Sequence, residues 1–322
     1  MTYALCAIGN ALVDIIVSSD EAFLHANGIT KGAMTLIDDA TAATLYAHAG
    51  SAVEMVSGGS AANTLAGFAS LGGTSAFMGK VGRDQFGEVF THDLRAQNIH
   101  FISQSSPDLP TGRCLIFVTP DAQRSMNTCL GAAGEIYESD IEADIIRNSA
   151  ITYLEGYLFD KPLTQAGFYK AAQLAHDAQR KLALTLSDVF CVSRHRQAFL
   201  DLVSGEVDIL LANENELLSL YETTDLKTAI ESVRAHTDIA AITRGPKGAV
   251  IISGNQTYEI PAHPVETVID TTGAGDLFAA GFLYGISHGK TLSESGRIGT
   301  IAAGEVISHY GARPLKKLRN LI

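Results

Sequence analysis

The chain has 322 residues, 46% of them hydrophobic and 18% charged, and 35 acidic against 23 basic residues leave a formal net charge of −12. That composition builds a sizeable core, and the length allows two domains of roughly 150 residues or one larger α/β unit with an appendage. The acidic surface repels phosphate backbones; its one basic cluster, Arg313, Lys316, Lys317 and Arg319, reads as a solvated helix face, so no nucleic-acid partner is expected.

The N-terminal stretch is apolar but lacks a basic leader and carries Asp14 where a signal sequence would stay apolar, so residues 5–9 read as a buried first strand. Further strand-length apolar runs stand at 76–79, 151–154, 182–186, 207–212, 239–243 and 249–253, most of them followed by helical periodicity. Strands apolar on both sides predict an α/β fold with a mainly parallel central sheet covered by helices. Two segments, about 13–57 and 101–128, break the alternation, and in the second 113–119 and 124–128 read as strands joined through Pro120-Asp121. Leaving one sheet at nearby points, the two can pair into a small β-rich lid over its carboxyl edge, where open α/β sheets bind ligands. No repeat or linker divides the chain, which predicts a single domain over 1–322. No apolar run reaches the roughly 18 residues of a membrane span, and Cys6, Cys114, Cys129 and Cys191 read as reduced buried thiols, so a cytoplasmic protein without a membrane partner is expected.

Four Gly-rich segments bear on chemistry. Ser57-Gly58-Gly59-Ser60-Ala61-Ala62-Asn63, preceded by Val53 and Met55, opens a helix with small-residue faces. Its glycines allow close backbone approach to a ligand, and Asn63 offers a donor and an acceptor to a sugar hydroxyl. A plain strand-to-helix turn leaves Asn63 unexplained, and a hydrolase nucleophile elbow lacks an assignable Asp and His. Gly79-Lys80-Val81 and Gly285 to Thr291 each miss the P-loop pattern. The fourth segment, Val268 to Gly281, reads as a strand end, the turn Asp270-Thr271-Thr272-Gly273-Ala274-Gly275-Asp276 and an apolar helix start. Such a turn gathers the amides of Gly273, Ala274 and Gly275 at a helix N-terminus, an anion site. A carboxylate beside an anion site makes sense if Asp276 takes the proton of a hydroxyl that attacks a bound phosphoryl group.

G-G-S-A-A-N near position 60, G-K-V-G-R-D-x-F-G at Gly79 to Gly87 and D-T-T-G-A-G-D near 270 resemble the ribokinase (PfkB) family of carbohydrate and nucleoside kinases over essentially the whole chain. Gly9-Asn10 with Asp14, Asn213 to Glu216 and Thr243 to Gly248 match further family elements in order. The resemblance implies a ribokinase-like three-layer α/β/α fold, with ATP and Mg²⁺ as cofactors. It makes Asp276 the base and the Gly273, Ala274 and Gly275 amides the phosphoryl cradle. Asn213 and Glu216 resemble the pair that organises Mg²⁺ through water, and Thr243, Gly245 and Gly248 the nucleotide-side turn. Asp14, Gly58, Gly59 and Asn63 match positions that grip sugar hydroxyls, and Arg124 an arginine that closes onto phosphate in adenosine kinases.

The lid segments look more like the adenosine-kinase branch than ribokinase proper, and Phe190, with Tyr157 in place of an aromatic at Leu158, is a candidate to line a nucleobase pocket. The activity implied is ATP-dependent phosphorylation of the 5'-hydroxyl of adenosine or a related ribonucleoside. A kinase of a free sugar such as ribose or fructose is the nearest alternative, and a catalytically silent nucleotide or sugar sensor the second. Family members also use K⁺; Asp270 and Thr272 match that loop, with Val306, His309 and Gly311 in its partner segment. The partners are therefore a small-molecule acceptor and ATP, in a monomer or homodimer.

Overall fold

A sheet buried on both faces needs apolar side chains on alternate sides of each strand, and the first strand has them: Leu5 and Ala7 lie in one hydrophobic cluster, Cys6 and Ile8 in another. The computed structural model describes residues 2–50, 54–103, 105–121 and 123–322; Val53, on the approach to the 57–63 turn, lies outside them. In chain order the strands are β1 (Tyr3–Ile8), β2 (Leu12–Ser18), β3 (Met34–Leu36), β4 (Glu54–Gly58), β5 (Ser75–Gly79), β6 (Ile99–Ser103), β7 (Gly112–Val118), β8 (Arg124–Cys129), β9 (Ser149–Glu155), β10 (Lys181–Thr185), β11 (Ile209–Asn213), β12 (Ile239–Thr243), β13 (Ala249–Ser253) and β14 (Gln256–Ile260).

Among the described residues nine of these form one sheet, in the order β14-β13-β12-β11-β10-β9-β1-β5-β6. Pairing is parallel from β12 through to β6. The strand expected at 249–253 is present, but it and β14 pair antiparallel. One short 3₁₀ turn, Gly245–Lys247, joins β12 to β13, far too little chain for a parallel crossover. Helices Ser60–Ser70, Gln85–Ala96, Ala274–Ser287 and Leu292–Val306 cover one face with Leu65, Phe90, Leu277 and Ile298. Helices Pro162–Asp177, Val189–Gly205, Glu214–Leu220 and Leu226–Arg234 cover the other with Phe168, Phe199, Leu217 and Val233. The result is the expected three-layer α/β/α arrangement.

A second sheet, ordered β3-β8-β7-β2-β4, joins the two segments that broke the alternation. Its composition differs from expectation at two points. The first segment also holds helices Glu21–Ala26 and Asp39–His48, whose N-termini are capped by the Asp20 and Asp38 carboxylates. The second begins later than residue 101, because β6 is an edge of the large sheet: Phe101 packs its ring against Phe77 and Phe90, with centroids 5.8 and 5.2 Å away.

Two further expectations are corrected. No strand precedes the turn at 270–276: the exposed Val268 and Ile269 have no neighbouring strand, and the amides of Ile269 and Asp270 both go to the carbonyl of Ile307. Nor does the basic tail form a helix face, since residues 307–317 are irregular and Arg313 is half-buried.

Gly67 sets a distance on which the site depends. A Cβ there would sit 2.8 Å from Ala280 Cβ and overlap the Leu277 side chain, so its absence lets helix Ser60–Ser70 lie directly on helix Ala274–Ser287. The N-termini of both helices thereby meet.

Candidate active site

The parallel strands deliver polar residues to one edge. Asn10 follows β1, Glu155 ends β9, Asp188 follows β10, Asn213 ends β11 and Thr243 ends β12, all at carboxyl ends. Into this edge points the N-terminus of helix Ala274–Ser287, whose N-cap Gly273 is left-handed at φ +78°. A side chain at Gly273 would have its Cβ 2.7 Å from Ala312 Cα, so glycine is required for conformation and space alike. The Ala274 amide is drawn back to the Thr271 carbonyl at 3.2 Å, while those of Gly275 and Asp276 have no hydrogen-bond partner among the described residues, as a first helical turn dictates.

Asp276 stands in that turn with both carboxylate oxygens engaged. Oδ1 accepts from Ser60 Oγ at 2.6 Å and Oδ2 from Asn63 Nδ2 at 3.1 Å. Enclosure raises its pKa above the usual carboxylate range, and the two donors pull the other way. Ser60 was not singled out from the sequence for this role; one polar residue in a run of small ones carries no sign of a partner 216 positions away. Its hydroxyl donates to a carboxylate, which removes the nucleophile-elbow reading. Asn63 Oδ1 in turn accepts from Arg313 Nε at 3.2 Å, placing in the site a residue that the sequence suggested was solvated.

Asp14 projects from β2 onto the Gly58-Gly59 turn, where a Cβ on Gly58 would overlap its carboxyl group and one on Gly59, at φ +93°, would strike the Asn10 carbonyl. Burial pushes Asp14 up to about 6, with Arg313 and Arg124 opposing the rise and Asp276 adding to it. Arg124, on β8, forms a 2.8 Å ion pair with Asp270, so the small sheet is tied to the loop that leads into the Gly273 turn.

Glu155 is 1% exposed; its Oε1 accepts from Asn10 Nδ2 at 2.7 Å and its Oε2 from the Ala61 amide at 2.8 Å. It holds the start of helix Ser60–Ser70 against β1. Burial raises its pKa from 4.5 to about 7 despite these donors. A carboxyl whose folded pKa is raised contributes stability that is full below the unfolded value and lost as pH rises through the folded one. The thermal midpoint of the wild type is therefore expected to fall between about pH 4.5 and 7 relative to Glu155→Gln, in paired melting curves across that range. Parallel curves for the two proteins would remove Glu155 as the cause.

Tyr157 is half-buried, and its hydroxyl pKa is raised by burial and by the surrounding Asp188, Asp276, Glu155 and Glu216 carboxyls. Leu158 is 3% exposed and belongs to the core, so Tyr157 is the residue of that pair that meets the site. Phe190 is 72% exposed in the first turn of Val189–Gly205, beside the cap residue Asp188.

On the other side of the turn, Asn213 and Glu216 form a capping box: the Asn213 side chain accepts from the Glu216 amide, and Glu216 Oε2 accepts from the Asn213 amide at 2.9 Å. Thr243 lies beside Asn213 in the β11-β12 register, and Arg244 Nε reaches Glu214 at 3.0 Å. Gly245 and Gly248 turn the chain at φ +57° and +83°.

The profile described as pfkB family carbohydrate kinase matches residues 26–318. The chain belongs to the pfkB family. This pfkB kinase is 49% identical to the adenosine kinase of Sinorhizobium meliloti, with a TM-score of 0.92 over 100% of this chain and 98% of that one. It is 47% identical to a probable sugar kinase of Rhizobium etli, again with a TM-score of 0.92 and coverage of 100% and 98%. The adenosine kinase of Saccharomyces cerevisiae is 26% identical over 332 residues, covering 97% of this chain and 96% of the relative. The family makes the protein a phosphotransferase.

Among the described residues no cluster of three or more His, Cys, Asp or Glu side chains could hold a metal, and no helix is long and apolar enough to cross a membrane. Mg²⁺ fits this kinase all the same, because it keeps several waters and leans on substrate phosphates. Glu216, pushed up to about 7 by burial and by the neighbouring Asp188 and Asp276 charges, sits in a concentration of negative charge that a cation would relieve. For K⁺ the carboxyl of Asp270 is already committed. Its Oδ1 accepts from Thr272 Oγ at 2.6 Å and from the Thr272 amide at 3.0 Å, and its Oδ2 from the Gly311 amide at 3.1 Å besides the Arg124 pair. The His309 ring is turned to Glu305 and the Tyr310 carbonyl, and the Val306 side chain is core, so carbonyl oxygens are what this segment has to offer a monovalent cation.

Proposed function

We propose that this kinase transfers the γ-phosphoryl group of ATP to the 5'-hydroxyl of adenosine or a related ribonucleoside. The observation that carries the acceptor is the full-length 49% identity to an adenosine kinase. The placement of Asp276 beside the Gly275 amide supports the chemistry. Asp276 takes the proton of the 5'-hydroxyl, whose oxygen forms a bond to the γ-phosphorus as the bond from phosphorus to the β–γ bridging oxygen breaks. That bond's electron pair leaves with ADP. The amides of Gly273 and Gly275 stabilise charge on the phosphoryl oxygens, with Ala274 contributing its position in the turn rather than a free donor. Mg²⁺, when bound with ATP, neutralises phosphate charge, and Glu216 with Asn213 would hold its waters. Thr243, Gly245 and Gly248 line the nucleotide side, and a K⁺ near the 270–272 loop would rest on carbonyls of the 306–311 segment.

Asp14, Asn63 and the Gly58-Gly59 turn receive the ribose, Tyr157 and Phe190 flank the base, and the small sheet, drawn to Asp270 by Arg124, closes over the acceptor. A free-sugar acceptor is the second reading, favoured by the likeness to a probable sugar kinase. An ADP-release assay with Mg-ATP and K⁺ separates them, run with adenosine, inosine, guanosine, cytidine, ribose, fructose and no acceptor. Turnover of a purine nucleoside is expected, and Phe190→Ala should raise its KM by roughly 10-fold, the worth of one base–aromatic contact. Turnover of ribose or fructose alone would replace the nucleoside reading with the sugar one.

A further inference from the structure

Arg313 occupies a position that the reaction outlined above does not use. It lies in an irregular segment held at several points. The Gly311 amide donates to Asp270 Oδ2 at 3.1 Å, and the amides of Leu315 and Lys316 donate to Glu305 Oε1 at 3.2 and 2.9 Å. Ser70 Oγ donates to the Lys316 carbonyl at 3.3 Å and accepts from the Leu318 amide at 2.9 Å. Glu305 is 6% exposed, so its carboxylate is a buried anchor rather than a surface charge. Ala312 packs on Gly273 closely enough to forbid a side chain there. A segment clamped at Asp270, Glu305, Gly273 and Ser70 holds the Arg313 side chain in a fixed direction.

That direction is the acceptor side of the site. Arg313 Nε donates to Asn63 Oδ1, and this orients the carboxamide: with Oδ1 facing the guanidinium, Nδ2 faces Asp276, to which it donates at 3.1 Å. Asp14 and Asp93 are the acidic groups that bear on Arg313, and Arg313 is the larger of the two cationic influences on Asp14. One end of the guanidinium is left over. Nη2 is buried and has no hydrogen-bond partner among the described residues. A buried charged donor without an acceptor is costly, and in a ligand site the ligand is the natural source of the missing acceptor.

We propose that Arg313 is a specificity-determining residue for the acceptor's sugar: its Nε fixes the Asn63 carboxamide, and its Nη2 donates to the oxygen of a ring hydroxyl that gives its own proton to Asp14. The inference rests on the proposed reading of the site as an acceptor pocket for a ribosyl group. A hydroxyl is both donor and acceptor, so it satisfies Asp14 and Arg313 together, which neither a hydrogen nor an ether at that carbon does. A pocket built to hydrogen-bond a hydroxyl rejects the analogue without it, because the buried groups are left unpaired.

The test compares kcat/KM of wild type, Arg313→Lys and Arg313→Gln for adenosine, 2'-deoxyadenosine, 3'-deoxyadenosine, ribose and 2-deoxyribose, with the KM for ATP measured alongside. Wild-type turnover of adenosine, or of ribose alone, first decides which acceptor pair is used, so failure of the nucleoside reading shows up separately. For the accepted sugar, Arg313→Gln is expected to lower kcat/KM by roughly 10- to 100-fold, the worth of a charged hydrogen-bond donor. Turnover of the deoxy analogue should fall less than about 3-fold, so the preference for the hydroxyl collapses while the KM for ATP holds. Arg313→Lys keeps the charge but lacks the second donor and is expected to lose the same preference; it carries the test if Arg313→Gln does not fold. An unchanged ratio of hydroxyl to deoxy substrate overturns the proposal. So does equal loss on both substrates, which would make Arg313 merely structural, and silence of the wild type toward every acceptor overturns it together with the reading on which it rests.

Discussion

Asp276→Asn is expected to lower kcat by roughly 10²- to 10⁴-fold while calorimetric ATP binding changes little, the loss typical of removing a general base. The substitution keeps the shape of the site and reverses one hydrogen bond. Arg313 Nε fixes Asn63 with Nδ2 toward residue 276, so the new carboxamide turns its oxygen to Asn63 and its nitrogen to Ser60 Oγ, which changes from donor to acceptor. A companion experiment addresses the proton. Asp276 must be ionised to act as base, and its pKa is already raised by burial, with the Ser60 hydroxyl among the groups that restrain the rise. Ser60→Ala removes a donor that favours the charged form, so the acid limb of the pH–kcat profile is expected to move to higher pH. An Asp276→Asn enzyme with unchanged turnover would take Asp276 out of the mechanism.

Alanine at two glycines of one turn should give two different failures. Gly273 combines φ +78° with contact against Ala312, so Gly273→Ala is expected to cost about 1–3 kcal/mol of stability and, by moving the turn, roughly 10²- to 10³-fold in kcat. Gly275 is helical, and a Cβ built there meets nothing within 4 Å. Gly275→Ala should therefore fold with an unchanged or slightly higher melting point and still lose activity, since the open space is where a phosphoryl group would lie. Melting curves and kcat for the pair decide the matter. Full activity of Gly275→Ala would place the phosphoryl group elsewhere.

How much of this was legible in the amino-acid sequence depends on how far each signal reaches along the chain. The alternation of Leu5, Cys6, Ala7 and Ile8 and its repeats disclosed the central sheet, and the Asp270 to Asp276 turn disclosed a helix N-terminus with a carboxylate in it, because a handful of adjacent residues decides each feature. The capping box at Asn213 and Glu216 is equally local, closed within one helical turn. Features whose meaning lies in a distant partner leave no such local mark. Val268 and Ile269 are apolar enough for a strand, yet nothing pairs beside them. Phe101 belongs to the large sheet because it meets Phe77 and Phe90, which composition around it does not reveal. Arg313 stands among charged neighbours, where nothing local distinguishes it from a solvated base. Buried Glu155 gives no local sign that its carboxylate accepts from the Ala61 amide, 94 residues earlier.

The helix contact at Gly67 has a consequence for the order in which the protein is made. Its counterparts, Leu277 and Ala280, and the residues that complete the site at Asp276 and Arg313, are translated more than 200 positions after Ser60 and Asn63, and the Asn63–Asp276 hydrogen bond alone spans 213 residues. While a ribosome still holds the last third of the chain, β1 can already pair with β5 and β9, but helix Ser60–Ser70 has its small-residue face bare. Contacts of this sequence separation make folding slow and leave the nascent chain with an uncovered apolar groove, a natural perch for a chaperone. Truncation before residue 280 should therefore yield an aggregating chain rather than a weak enzyme, because the face of helix Ser60–Ser70 that Leu277 and Ala280 cover stays open.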